Sequence, residues 1–163
     1  MIPWKLRTAE VAHFYNPAYL GRLLKEFVSS YQSEKPEGVP YELIFVAIPL
    51  IVLKFYRSAL PSTIRTQLHN WIQTNSDFKI GYASIVKELL PFVKESLIFL
   101  LQRSILSINE SGKLVEGPTK FNKKNAKDTE EILNTINKAK FVGKWFAKAG
   151  EATTIYALWG IRV

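Results

Sequence analysis

Hydrophobic and polar positions divide this chain into segments of helical period, interrupted once by alternation. From Pro17, the residues Tyr19, Leu20, Leu23, Leu24, Phe27 and Tyr31 recur at helical spacing, predicting an amphipathic helix to about Gln32. Asn16 supplies an N-cap, and Pro17 suits a first turn, where its missing N–H leaves no bond unmade. Upstream, Thr8 can cap a short helix carrying Val11, Ala12 and Phe14. Ser33 to Pro40, with two prolines and a glycine, reads as a polar loop. Tyr41 to Leu53 predicts a buried helix bent at Pro49. After a break at Ala59-Leu60-Pro61, an amphipathic helix is expected from Pro61 to Asn75 through Ile64, Leu68, Trp71 and Ile72. Another follows from Tyr82 to Leu90, with Ile85, Val86, Leu89 and Leu90 turned inward.

The stretch from Pro91 to Glu116 organises the rest. Pro91 opens a helix in which Leu97 to Leu101 is apolar on every side, so it is expected to be the central, covered helix. After Ile105 the period changes to alternation, with Leu106 and Ile108 before Asn109-Glu110-Ser111-Gly112 and Leu114 beyond it. Those four residues are turn chemistry, Gly112 being able to take positive φ. A buried helix followed by a two-stranded wing is the centre of a winged-helix unit.

Gly117 to Lys127 reads as a basic connector. Asp128 and Glu131 stand at capping-box spacing and start a helix whose stripe is Ile132, Ile136, Ala139, Gly143 and Ala147. The small residues at 139, 143 and 147 allow another backbone to come close. Gly150 stops that helix, and Ala152 to Trp159 forms a last apolar segment. The expected architecture is a mostly α single domain with a winged-helix-like centre and one short β-hairpin. Its parts are a helical core with hairpin (1–116), the connector (117–127) and a C-terminal helical docking segment (128–163).

Composition narrows the function. With 163 residues, 47% of them apolar, the chain can build one real core. The absence of cysteine removes disulfides, thiolate metal sites and cysteine nucleophiles. The first fifteen residues hold no apolar run suited to a signal peptide. The longest apolar run, Leu43 to Leu53, is eleven residues, against about 20 for a membrane span. A cytoplasmic protein without a membrane partner is expected. Net charge is +8, and nine lysines against four acids between Lys113 and Lys148 put about five of those charges on 36 residues. An anionic partner would look there first.

Catalytic chemistry finds little support. No carboxylate or second histidine sits at i+3 or i+4 from His13 or His69, and Asp77 and Asp128 are the only aspartates. Glu88 and Glu95 each neighbour a lysine and read as solvated. No phosphate-cradling glycine motif is present. A non-enzyme holding neither cofactor nor metal is expected. Lys113, Lys120, Lys123, Lys124 and Lys127 beside the hairpin are the candidate phosphate contacts, or simply a solvated loop. In the tail, Phe141, Trp145, Phe146, Tyr156 and Trp159 alternate with Lys140, Lys144, Lys148 and Arg162. One helix face cannot take all of these aromatics. The tail therefore either folds back on the core or presents a partner surface formed by Lys140, Lys144, Trp145, Lys148, Trp159 and Arg162. Exposed tryptophans there would make the isolated chain poorly behaved.

Several stretches resemble a known family. They are Trp4…Arg7…Glu10-Val11-Ala12…Asn16-Pro17-Ala18, Pro40-Tyr41-Glu42-Leu43…Ile48-Pro49-Leu50 and Leu60-Pro61…Arg65-Thr66…Leu68-His69…Trp71. Lys138 to Ala147 and the ending Tyr156-Ala157-Leu158-Trp159-Gly160-Ile161-Arg162 continue the series. In that order they resemble the middle component of three-component ABC systems, bacterial conflict systems built on an SMC/Rad50-like ATPase. Within that class the chain is similar to the small third subunit of Lamassu-type anti-phage and anti-plasmid defence. The resemblance implies a non-catalytic adaptor that contacts the ATPase and a nuclease-type effector, with double-stranded DNA reached through the complex. ATP and metal would belong to the ATPase, and DNA cleavage to the effector. The alternative is a free-standing winged-helix DNA-binding regulator.

Overall fold

The computed structural model describes residues 6–9, 15–121 and 127–162. The short helix expected after Thr8, with His13, falls largely outside them. Asn16 Oδ1 accepts the Ala18 N–H at 2.8 Å and starts α1 (Pro17–Glu34), as the Asn-Pro pair predicts. The supposed loop after it contributes a strand, β1 (Val39–Pro40).

Next comes α2 (Leu43–Val52), buried from Leu43 through Ile51 despite Pro49. A short helix not foreseen from the pattern, α3 (Lys54–Ala59), follows directly. The helix expected from Pro61 shrinks to α4 (Leu68–Thr74). Residues 61–67 turn instead, with Thr63 Oγ1 accepting the Arg65 N–H at 3.3 Å and Gln67 extended at ψ 138°. Such a side-chain bond offers the backbone an alternative to the helical ladder. A 3-10 turn (Ser76–Lys79) then leads to α5 (Tyr82–Gln102).

Two expectations are corrected in α5. It runs unbroken through Pro91, which lies exposed, so the carbonyl its ring displaces can turn to solvent. Nor is its second half the central helix. Ile98 is 50% exposed and Leu97, Phe99 and Leu101 are only partly covered. The helix wrapped on all sides is α2, against α1, α3, α5 and the later helix Glu130–Ala147.

The hairpin forms as expected from β2 (Leu106–Ile108) and β3 (Lys113–Glu116). Asn109 Oδ1 accepts from Ser111 N–H and Lys113 N–H, at 3.1 and 2.9 Å, and Gly112 takes φ +73°. Val39 pairs with Leu114, so the sheet has three antiparallel strands in the order β1-β3-β2. After the connector come α6 (Glu130–Ala147) and α7 (Ala152–Leu158). The whole is a mostly α single domain with a small sheet.

Candidate partner-docking surface

The C-terminal helices carry the residues singled out for docking, and the packing of α6 decides their fate. Thr129, not Asp128, caps α6: its Oγ1 accepts the Ile132 N–H at 3.3 Å, and Glu130 and Glu131 occupy the first turn. Asp128 does other work. Its two oxygens take the fork of Arg22 on α1 at 2.6 and 2.7 Å. That hydrogen bond raises the Arg22 pKa against the opposing cost of burial. Arg57 donates to the Ile51 and Val52 carbonyls at 3.0 and 2.7 Å and to Glu131 at 3.2 Å. Two poorly exposed arginines thus pin the start of α6 to α1 and to the α2–α3 junction. The signal was an Arg inside the apolar stripe of α1, between Leu20 and Leu23.

Along the same seam, α6 lies against α1 through the small stripe anticipated from the pattern. A Cβ on Gly143 would overlap the Phe27 carbonyl oxygen and stand 3.0 Å from Ser30 Cβ, so only glycine permits this approach. Phe146 meets Phe27 edge-on, with ring centroids 6.0 Å apart. On its other flank, α6 presses Trp145 against Trp71 at 5.4 Å, and Trp145 Nε1 donates to the Thr66 carbonyl at 2.6 Å. Trp159 stacks on Tyr82 at 4.1 Å. Trp145 and Trp159 are therefore 1% and 2% exposed. Of the two readings of the tail, folding back on the core holds for these two tryptophans, and their exposure on a partner surface does not: they pack on α4, α5 and the 61–67 turn of the same chain. Both leave the partner-surface set.

The cations of that set stay outside. Lys140, Lys144 and Lys148 form an exposed row one turn apart along the α1–α6 seam. Lys140 Nζ lies 3.8 Å from Glu26, and Lys148 Nζ 3.8 Å from Glu34. Lys144, between them, has no acid within that reach among the described residues. Arg162 is exposed beyond α7, and no contact joins it to the lysine row.

The candidate DNA contacts fall only in part within the described residues. Lys120 and Lys127 are exposed, and Lys123 and Lys124 lie outside the described residues. Lys113, half-buried on β3, lines a hollow of about 500 Å³ that also holds Glu42 and Glu151. Those acids oppose an anion there. Among the described residues, no group of three His, Asp or Glu side chains stands close enough to share a metal. None of the helices among them is long and apolar enough to cross a membrane.

A feature the pattern did not mark lies at the opposite end of the aromatic cluster. Phe55, at the start of α3, is 69% exposed, and Ile80, just after the 3-10 turn, is 77% exposed. The ring of Phe78 lies 5.0 Å from Phe55 and stacks on Trp71 at 5.6 Å.

These features define a small helical domain whose chemistry is concentrated in ion-paired seams and in a surface corner of cations and apolar side chains. The model of the ABC-three component (ABC-3C) system Middle Component 3 family matches residues 4–163, and the chain belongs to that family. It is thus a middle component of a three-component ABC system, as the resemblance implied. Comparisons with curated proteins and with solved structures gave no match.

Proposed function

We propose that the chain is a non-catalytic adaptor in a bacterial anti-phage or anti-plasmid defence complex, joining an SMC-like ABC ATPase to a nuclease-type effector in the manner of the small Lamassu subunit. Family membership over residues 4–163 carries this reading. In support, the exposed chemistry is that of contact: a lysine row on α6 and an apolar corner at Phe55 and Ile80. The work site is the cytoplasm, and DNA is met through the assembly.

A winged-helix DNA regulator is the second reading, and one observation favours it. An early strand pairing with the second strand of a later hairpin, order β1-β3-β2, is the arrangement a winged-helix unit would take. Its reading helix would be α5. The exposed side of that helix, however, alternates Lys87 with Glu88 and carries Lys94, Pro91 and Ile98. A face with acids beside its lysines gains little from phosphates, which leaves the adaptor ahead.

Co-expression of the three components, followed by size-exclusion chromatography, tests the proposal. The adaptor should elute with the ATPase component. Elution alone, together with steeply salt-dependent binding to duplex DNA, would replace it with the regulator.

A further inference from the structure

The corner at Phe55 and Ile80 is built, not left over. Helix α3 is locked from behind: Tyr56 packs edge-on against Tyr82 at 5.1 Å, and Arg57 is tied to two carbonyls and to Glu131. With positions 56 and 57 fixed inward, Phe55 must project outward. Ile80 leaves the 3-10 turn beside Phe78, whose ring supports Phe55. Two large apolar side chains thus stand in water on two segments that the Phe55–Phe78 and Tyr56–Phe78 ring contacts hold together. Isolated exposed apolar residues are ordinary, but two of this size on segments packed together are the kind of surface a partner covers.

Cations stand on the same segments. Lys54 precedes Phe55, Lys79 precedes Ile80, and both are exposed. Lys79 Cε lies 3.8 Å from where a Cβ on Gly160 would stand, which brings the C-terminal segment alongside, with Arg162 two residues further on. Asp77 is the one nearby acid on these segments.

From this juxtaposition we infer that the Phe55–Ile80 corner, with Lys54 and Lys79 on its own segments and Arg162 on the adjoining one, is the dock for an acidic, apolar-anchored segment of another component of the three-component system. The inference rests on the adaptor reading and adds the surface and the chemistry of its partner. An apolar anchor from the partner covers Phe55 and Ile80, and its carboxylates meet the three cations at the rim. Nucleic acid fits less well: an isoleucine has no π face on which a base could stack, and Asp77 repels phosphate.

The test measures affinity, by titration calorimetry, of the full chain for each of the two other components, purified separately. The double variant F55S/I80S should lose roughly thirtyfold or more in affinity for one of them, as expected for truncated apolar anchors. Lys79→Glu should lose about fivefold, and that loss should shrink at high salt. Both variants should keep the wild-type melting temperature, because neither position packs in the core. Undiminished binding by F55S/I80S would overturn the dock while leaving the adaptor standing. Failure of wild type to bind either component would overturn both. A wild-type dimer dispersed by F55S/I80S, or duplex DNA binding lost in it, would reassign the corner to a second copy or to nucleic acid and overturn the inference.

Discussion

Two regions of this domain place large apolar side chains beside cations, and they have opposite fates. In the tail, Trp145 and Trp159 sit among Lys140, Lys144, Lys148 and Arg162, yet both rings are sealed in the core. At the α3 corner, Phe55 and Ile80 sit among Lys54, Lys79 and Arg162, and both remain in water. The difference lies in what each backbone faces. Helix α6 runs between α1 and the α4 region, so a wide arc of its surface finds partners inside the chain. Helix α3 is one and a half turns long and spends its inward positions on Tyr56 and Arg57. Interleaved aromatics and lysines are therefore ambiguous in sequence; the number of elements packed against a helix decides whether they are core or dock.

Substitutions can break that contrast. The largest effect belongs to Trp145→Ala, which opens a void beside Trp71 and strands the Thr66 carbonyl. Urea unfolding should show a loss of about 3–5 kcal/mol. Arg22→Ala should cost about 1–3 kcal/mol by the same measurement, since it leaves Asp128 partly covered beside apolar side chains. Gly143→Ala belongs in the same range, about 1–3 kcal/mol, because the new Cβ meets backbone of α1 that cannot rotate away.

Alkaline titration sharpens the comparison from the core side. Tyr31 and Tyr156 are pushed up to about 12, burial being the first cause and neighbouring glutamates the second. Their folded pKa values exceed the unfolded value of about 10. The stability they contribute is whole below pH 10 and is lost as pH rises from there through 12. Absorbance at 295 nm should show these phenols ionising after the exposed tyrosines or together with unfolding. The smallest effects fall on the rim: Lys140→Ala should cost about 1 kcal/mol or less, because buried Glu26 keeps Lys25 at 3.8 Å, and Lys148→Ala about 0.5 kcal/mol or less, its ion pair being long and solvated.

Much of the frame was legible in the sequence because local chemistry fixes it. Asn16-Pro17 starts α1, Asn109 and Gly112 close the hairpin, and the small residues at 139, 143 and 147 mark the helix seam. What stayed hidden depended on distant partners. Val39–Pro40 becomes a strand only because Leu114 pairs with it. Asp128 looked like a cap because of its spacing to Glu131, but Arg22, 106 positions away, claims it. Pro91 looked like a helix start because proline suits one; its exposure lets the helix pass. The tail was read as core or dock, and only the position of α4 decided for its tryptophans. Phe55 carried no signal at all: it lies in a short helix, KFYRSA, that the pattern did not mark, and its exposure follows only once Tyr56 and Arg57 take the inward positions.

The measurement that tests the contrast most directly takes Trp145→Ala and F55S/I80S through the same two assays, urea unfolding and affinity for the purified partner components. The expected result is a division: Trp145→Ala loses stability, whereas F55S/I80S unfolds like wild type and loses binding. A Trp145→Ala protein as stable as wild type, or an F55S/I80S protein that binds as tightly, would contradict it.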